Sequence, residues 1–274
     1  MIALGRGDPR YPARLRDLAH PPDEIWVDGD PTTLEAPAIA IVGTRRMTGY
    51  GERVAREVAL ACAAGGAVVV SGFAQGIDSA AHRGALDGGG RTIAVVGESI
   101  PLFVATVRGR RRPLVPRIRE HGALVSQFAA PLAAQRWTFA KRNATIAALA
   151  GAVVVVEAGE VSGALITAEE ARAIGRPVYA VPGPWGSSAS AGANRLIATG
   201  RARALTSVRE LLGGGPAASR ATEPVLDALR DGPLGIDELA RRMRADRSTL
   251  ASRVALLLVR GELAALPDGR LRRT

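Results

Sequence analysis

Residues 67–86 read AVVVSGFAQGIDSAAHRGAL, and this stretch decides the fold. Residues 67–70 form a short apolar run rich in β-branched side chains, which is typical of a buried strand. Glycines then interrupt the pattern at positions 72 and 76, and the alanine-rich residues 79–86 predict a packed helix capped by Asp78 or Ser79. In α/β proteins, such a loop between a strand and a helix can bind an anion, because unpaired N–H groups and the positive end of the helix dipole converge there.

The same order of elements occurs just upstream. Residues 39–42 are strand-like, residues 43–46 with Gly49 and Gly51 form a glycine-rich loop, and residues 54–60 predict a helix. Two such loops in tandem, each beside arginine or histidine, predict a phosphate-binding rim.

The middle of the chain alternates apolar runs with helical stretches. Six strands are predicted, at residues 39–42, 68–70, 92–96, 123–126, 153–157 and 178–181. Their nearly continuous apolar character indicates a sheet that is parallel and covered by helices on both faces. We therefore predict an α/β fold, with a Rossmann-like, doubly wound, mostly parallel sheet that binds ligands beyond the carboxyl ends of its strands.

Composition divides the chain into four parts. Residues 1–37 are a proline-punctuated lead-in expected to pack on the main domain, with one short helix near residues 13–19. Residues 38–212 are the Rossmann-like domain, and residues 213–220 form a Gly/Pro/Ala linker. Residues 221–274 carry three short amphipathic patterns, at 225–229, 236–243 and 250–258, followed by a hairpin pattern. This order predicts a small C-terminal winged-helix domain, which binds either duplex DNA or a protein.

Charge and cysteine content limit the classes of function. The 36 basic residues exceed the 26 acidic ones, giving a net charge of +10. This excess favours a polyanionic partner such as nucleic acid, although a solvated basic surface is the alternative. Cys62 is the only cysteine and the three histidines lack metal-ligand spacing, so we expect no disulfide, metal or cofactor. No apolar run is long enough to span a membrane, and a cytoplasmic location is expected.

Residues 137–149, WTFAKRNATIAAL, carry the densest polar cluster of the main domain. Phe139, Lys141, Arg142 and Asn143 lie just before or on the first turn of an alanine-rich helix. An aromatic ring beside two cations and an amide suits a single strand, because it offers a surface for stacking, charge for phosphate and an edge-reading donor. The alternative is that Trp137 and Phe139 are core anchors.

Two further segments allow more than one interpretation. The arginine-rich residues 108–119, broken by Pro113 and Pro116, predict an exposed loop that is either solvated or in contact with nucleic acid. Glu157 ends the fifth predicted strand and is either a general base or an organiser of its loop. We favour the organising role, because no histidine or second carboxylate completes an acid–base pair.

Seven blocks of sequence resemble the DprA/Smf family of bacterial DNA-processing proteins. They are IVGTRRMTGYG (41–51), VVSGFAQGIDSAAHRGAL (69–86), GGRTIAVVG (89–97), FAKRN (139–143), VVVVEAGEVSGALITAEEA (153–171), RPVYAVPG (176–183) and GANRLIATG (192–200). The resemblance implies a non-enzymatic, homodimeric protein that binds single-stranded DNA in a basic pocket. It also implies that the protein brings the RecA recombinase to incoming strands during natural transformation.

The resemblance also implies a set of nucleic-acid-binding residues. Gly43, Thr44 and Arg45 with Arg46 are expected to hold phosphate, and Ser71, Gly72, Gln75 and Gly76 are expected to line the same pocket. Phe139, Lys141, Arg142 and Asn143 are expected to supply stacking, charge and amide contacts, and Ser162 and Gly163 to close the rim. His82 also matches the family motif. It either lines the binding pocket or only packs its helix against the domain. The chain departs from the family pattern at Gln127, at Ala144 and across residues 98–119, which lack a Tyr-Pro feature.

Two other functions remain open on the sequence. A nucleotide phosphoribohydrolase has a related fold, and Glu157 and Glu169 are the residues to suspect for such an activity. A regulator that binds duplex DNA through the winged helix alone is the other alternative.

Overall fold

A nine-stranded sheet forms the centre of the first of two units in this computed structural model. The first unit is Met1–Gly213 and the second is Gly214–Thr274. The structure describes residues 1–211 and, in the second unit, residues 224–229, 232–243, 245, 250–251, 254, 257–258, 263–266 and 268–273.

The sheet is parallel over seven of its strands. In chain order the strands are β1 (Ile2–Gly5), β2 (Glu24–Gly29), β3 (Ala38–Val42), β4 (Val68–Ser71), β5 (Thr92–Val95), β6 (Gly122–Ser126), β7 (Ala152–Val155), β8 (Val178–Ala180) and β9 (Arg203–Ala204). Their order across the sheet is β1-β2-β6-β5-β4-β3-β7-β8-β9, and only β2 runs antiparallel to its neighbours β1 and β6. All six predicted strands are present, so the α/β fold with a mostly parallel sheet is confirmed.

Helices cover both faces of the sheet. They are α1 (Gly49–Ala64), α2 (Ile77–Asp87), α3 (Ile100–Thr106), α4 (Leu114–Glu120), α5 (Arg136–Leu149), α6 (Gly163–Ala173) and α7 (Ala191–Ala198). Successive residues of a strand point to opposite faces. Ile39 and Ile41 therefore pack in the cluster formed by α1 and α2, whereas Ala40 and Val42 pack in the cluster formed by α5 and α6. Burial on both faces explains why the strands are apolar throughout.

The lead-in differs from its prediction, because it adds two strands to the edge of the sheet. Residues 24–29 form β2, in which Ile25 and Val27 are buried and the residues between them are partly exposed. This alternation is the signal of a strand with one covered face, and the proline-rich context concealed it. The short helix expected near residues 13–19 is a 3₁₀ helix at Ala13–Asp17.

Both glycine loops are shorter than predicted. Helix α1 begins at Gly49, so Gly49 and Gly51 lie in its first turn, and the N-cap is Thr48, whose Oγ1 accepts a hydrogen bond from Gly51 N–H at 3.1 Å. Helix α2 begins at Ile77 and its N-cap is Gly76, not Asp78 or Ser79. The φ of Gly76 is +87°, a conformation that glycine adopts easily.

The arginine-rich segment is not one exposed loop. It contains a 3₁₀ turn at Gly109–Arg111 followed by α4, which buries Leu114, Val115 and Ile118 against the sheet. Pro116 is the third residue of α4, where a backbone N–H has no partner within the helix, so the proline costs no hydrogen bond there.

The second unit contains α8 (Pro224–Ala228), α9 (Ile236–Met243) and an antiparallel hairpin of β10 (Leu263–Ala265) and β11 (Leu271–Arg273). Their apolar side chains share one core with Leu250, Val254 and Leu257. The predicted linker and parts of the third predicted helix lie outside the described residues, so the winged-helix assignment and the domain boundaries remain predictions. Among the described residues, no helix is both long and apolar enough to cross a membrane.

Candidate nucleic-acid interface

The strand order creates a crevice at the carboxyl ends of β3 and β7. From β3 the chain proceeds outward through β4, β5 and β6, and then returns to β7 on the other side of β3. Open α/β sheets bind ligands at such a reversal of strand order. Two cavities of about 250 and 360 Å³ lie at this edge and share Arg45, Ala74, Phe139 and Arg142 as lining residues. We call these two cavities together the strand-end rim.

Glu157 organises the loop between β3 and α1. Its side chain is 1% exposed, and its carboxylate accepts hydrogen bonds from Thr48 N–H at 2.9 Å and Thr48 Oγ1–H at 2.6 Å. Its backbone carbonyl accepts a third, from Thr44 N–H at 2.7 Å. The carboxylate is thus engaged with Thr48 and the backbone carbonyl with Thr44, which supports the organising role over that of a general base.

Two guanidinium groups lie near the ring of Phe139. The Cζ of Arg45 is 5.4 Å from the centroid of the ring, and the Cζ of Arg142 is 5.5 Å from it. Both distances permit cation–π attraction. Because Arg45 is exposed and Phe139 is only half-buried, an aromatic surface and an accessible cation are available together at this point of the rim.

Arg142 supplies its charge from beneath the surface. The side chain is 5% exposed, and its Nη1 donates hydrogen bonds to the carbonyl oxygens of Gly72 and, at 2.9 Å, Val95. Burial lowers the pKa of Arg142 to about 10, although the nearby Asp78 carboxylate opposes this shift. The guanidinium therefore fixes the ends of β4 and β5, in addition to the phosphate contact predicted for it.

Asp78 is the buried carboxylate next to Arg142. Desolvation raises its pKa, whereas the charge of Arg142 and the hydrogen bond from Ala74 N–H, at 3.2 Å, oppose that rise. The two opposite charges lie within one hydrogen-bonded assembly, so removing either leaves the other buried without compensation.

His82 is neutral and enclosed. Its Nδ1 is 2.7 Å from Thr92 Oγ1, which itself donates to the carbonyl oxygen of Val69 at 2.7 Å, so Nδ1 must carry the proton. Its Nε2 is buried and has no hydrogen-bond partner among the residues that the structure describes. Burial, followed by the charges of Arg142 and Arg83, lowers the pKa of His82 to about 3.

This shift predicts acid destabilisation. A folded-state pKa below the unfolded value means that His82 stabilises the fold above its unfolded pKa of about 6.5, and that the stabilisation is lost as the pH falls toward 3. We expect the free energy of unfolding to fall by about 2 kcal/mol between pH 7 and pH 5 through this group alone. Urea unfolding at both pH values should show a smaller drop in His82→Asn than in the wild type. The exposed control His20→Asn should retain the full drop, and an equal drop in both variants would contradict the assignment.

Eleven of the fourteen predicted site residues line the rim, and three, Ser71, Gly76 and Lys141, do not. The cavity of about 360 Å³ is lined by Gly43, Thr44, Arg46, Asn143, Ser162 and Gly163, and the smaller one by Gly72 and Gln75. Ser71 is fully buried and donates to the carbonyl oxygen of Ile41 at 2.6 Å, and Gly76 packs beneath the Thr44 backbone.

Asn143 joins two elements of the rim. Its Nδ2 donates to the carbonyl oxygen of Gly163 at 3.3 Å, which ties α5 to the start of α6. The Oγ of Ser162 accepts a hydrogen bond from Ala164 N–H at 3.3 Å and caps α6. These contacts hold the predicted closing residues at the correct edge of the sheet.

Lys141 lies on a different face of α5 from the other members of its predicted cluster. The rim-facing residues of α5 are spaced i, i+3, i+4 and i+7, namely Phe139, Arg142, Asn143 and Ile146. Lys141 instead lines a separate cavity of about 950 Å³, with its Nζ 5.4 Å from the centroid of the Trp137 ring. The helical period, and not sequence proximity, separates these side chains.

Arg111 and Glu98 also line the rim, although neither is among the predicted nucleic-acid-binding residues. Arg111 Nη1 donates to the carbonyl oxygen of Phe73 at 3.0 Å, and both Arg111 and Glu98 line the smaller cavity. Burial raises the pKa of Glu98, and the charge of Arg111 opposes that rise. The arginine run is visible in the sequence, but no local pattern indicates which arginine reaches the site. Among the described residues, no group of three potential ligands could hold a metal ion.

The sequence of this chain is similar to a known protein family and to individual members of it. The sequence profile of the family described as "DNA recombination-mediator protein A" matches residues 3–214. A DNA processing protein DprA of Mycobacterium tuberculosis is 41% identical over 282 residues, covering 95% of this chain and 71% of that protein.

Two solved structures have a similar fold. DNA processing protein A of Streptococcus pneumoniae aligns with a TM-score of 0.71 and 32% identity, over 77% of this chain and 73% of that chain. The protein of the same name from Helicobacter pylori aligns with a TM-score of 0.67 and 28% identity, over 73% of this chain and 90% of that chain. The Helicobacter pylori protein has a single-stranded DNA binding mode that is described as unique.

Proposed function

Since the chain belongs to the DNA recombination-mediator protein A family, we propose that its strand-end rim binds single-stranded DNA. The observation that carries this proposal is the half-buried Phe139 ring with the guanidinium groups of Arg45 and Arg142 close to it. Single strands are bound by aromatic surfaces on which bases stack, combined with cations that follow the phosphates. The rim combines both features at the place where open α/β sheets bind ligands.

Each group has a distinct role in this proposal. Arg45 and Arg46 are exposed and contact phosphate, whereas a base stacks at the Phe139 ring. Arg111 adds a third cation at the smaller cavity, and the buried charge of Arg142 raises the positive potential of both cavities. The rim is thus lined by four arginines and by only two carboxylates, those of Glu98 and Asp78, so its charge is positive overall.

The wider role follows from the family. We propose that the protein acts as a homodimer, protects incoming single strands and brings the RecA recombinase to them during natural transformation. The family description supports a part in recombination, and the single-stranded DNA binding of the Helicobacter pylori protein supports the choice of ligand. We propose no catalytic activity. The hydrogen bonds from Thr48 to the Glu157 carboxylate support this, because they assign that carboxylate a structural role.

The test is equilibrium binding to oligothymidine and to a duplex of equal length at several salt concentrations. We expect a preference for the single strand and an affinity that falls steeply as salt rises. Arg45→Ala should weaken single-strand binding about 10-fold and reduce the slope of log affinity against log salt by about 0.7.

Arg91→Ala is the matched control for this measurement. Arg91 is also exposed, but it precedes β5 at the amino end of the strand, on the opposite edge of the sheet. Its substitution removes the same charge and should leave the affinity nearly unchanged. Equal losses in the two variants would show that only net charge matters. Preference for duplex would assign binding to the second unit, and release of free base from AMP that is lost in Glu157→Gln would indicate an enzyme.

A further inference from the structure

We propose that Trp137 and Lys141 form a second base-stacking site for the same single strand, on the face of α5 opposite the rim. This inference rests on the proposed function. It extends the binding surface beyond the rim to a place that neither the sheet topology nor the glycine loops indicate.

The geometry of the pair suits a nucleotide. The Lys141 ammonium lies 5.4 Å from the centroid of the Trp137 ring, and the indole is 46% exposed. The indole is held in place, because its Nε1 donates to Gln135 Oε1 at 2.7 Å and Phe128 packs edge-on against it at 5.7 Å. An exposed, fixed indole offers a surface for a base, and the adjacent ammonium offers a charge for its phosphate.

A cavity of about 950 Å³ lies beside the pair. Ala140 and Ala144 line it from α5 and Phe128 lines it from the segment after β6, so its helical wall has small side chains that leave room for a planar base. Its other wall carries Asp23, whose carboxylate is 2.9 Å from the guanidinium of Arg6, as well as Glu24 and Glu170. Because these carboxylates repel phosphate, the backbone of a bound strand is expected to pass on the Lys141 side.

The charge of Lys141 is available for this contact. Within the described part of the chain, Lys141 makes no ion pair, and its one interaction is with the Trp137 ring. It is also the single lysine of the sequence, in which the other basic positions are arginine. Most exposed arginines nearby in the lead-in are engaged, as Arg6 is with Asp23.

The two stacking positions lie on one continuous element. Trp137, Ala140, Lys141 and Ala144 repeat at i, i+3, i+4 and i+7, as do the rim residues Phe139, Arg142, Asn143 and Ile146. The two rows face opposite sides of α5, since an offset of two residues is about 200° around a helix. A helix is about 10 Å across, so a strand that crosses the N-terminal half of α5 reaches both positions within a few nucleotides.

Trp185 is a second exposed tryptophan and serves as the comparison for Trp137. It is also exposed, at 100%, but it makes no cation–π or ring contact with the other described residues, and it lines none of the cavities described above. Exposure alone therefore does not distinguish Trp137. What distinguishes it is the combination of a fixed ring, an unpaired ammonium and an adjoining cavity.

The experiment measures the affinity of the full chain for oligothymidine of about 4 and about 16 nucleotides, in the wild type, Trp137→Ala, Trp137→Phe and Trp185→Ala. We expect Trp137→Ala to weaken binding of the longer strand about 10-fold and to leave the shorter strand, which occupies the rim, within about 2-fold. Trp137→Phe should restore most of the affinity, because a phenyl ring still stacks. The quenching of indole fluorescence by the longer strand should be lost in Trp137→Phe and retained in Trp185→Ala.

The outcomes separate this inference from the proposed function. If the wild type binds and Arg45→Ala weakens binding, but Trp137→Ala behaves as Trp185→Ala, the rim is correct and the second site is wrong. Equal loss of affinity for both strand lengths in Trp137→Ala would also overturn it, because the effect would then act through the rim. If the wild type binds neither strand, the proposed function fails and the second site fails with it.

Discussion

Gly76→Ala is expected to lower the free energy of unfolding by about 3 kcal/mol. Gly76 has a φ of +87°, and a Cβ at this position would lie 2.3 Å from the carbonyl oxygen of Thr44 and 2.8 Å from the backbone carbonyl of Arg45. These are backbone atoms, so they cannot move away as the end of a flexible side chain can. The new methyl group must displace the loop after β3 or the start of α2.

The same substitution should also reduce binding of single-stranded DNA, because the displaced loop carries Arg45. Thr44 links the two loops, since its carbonyl oxygen accepts a hydrogen bond from Ile77 N–H at 3.2 Å. Affinity for oligothymidine, measured where the variant is still folded, should fall more than about 10-fold.

Gly175→Ala separates the clash from backbone strain. Gly175 also has a positive φ, +72°, but a Cβ added there would have no neighbouring atom within 4 Å. Its substitution should cost about 1 kcal/mol and leave DNA binding unchanged. Urea unfolding of both variants gives the comparison, and equal losses of stability would show that the contact between the two loops is unimportant.

Arg142→Ala is expected to lower the free energy of unfolding by about 3 kcal/mol. The substitution leaves the carbonyl oxygens of Gly72 and Val95 without the donor that they share. It also leaves Asp78, whose buried carboxylate is stabilised by the charge of Arg142, without compensation. Each of these effects costs free energy because the groups left without a partner are buried.

Lys141→Ala is the matched control for that variant. Lys141 is the adjacent residue of α5 but is exposed, so its truncation should change the free energy of unfolding by less than about 0.5 kcal/mol. Chemical denaturation of both variants provides the test. If Arg142→Ala were as stable as Lys141→Ala, the guanidinium would not be the structural tie that its hydrogen bonds indicate. The expected instability is also why Arg45, and not Arg142, is substituted to test DNA binding.

Sequence patterns predict the sheet well because its strands are buried on both faces. Six continuous apolar runs, such as those of β3 and β4, correspond to six parallel strands. The patterns fail for a strand that has one exposed face, and they fail where proline is taken to exclude a helix. The alternating residues of β2 form no continuous apolar run, and Pro116 predicts a loop although it lies in the first turn of α4.

By itself, the sequence determined the α/β class, the family resemblance and the edge of the sheet at which the polar residues collect. It did so because strand burial and glycine loops depend on neighbouring residues. Only the tertiary structure decided that Arg142 is buried, that Arg111 reaches the rim and that Lys141 faces away from it. These placements depend on the rotation of α5 and on contacts such as Arg142 with Gly72, which lie 70 residues apart in the chain. No local pattern encodes such a contact, because its energy arises only when distant segments pack together.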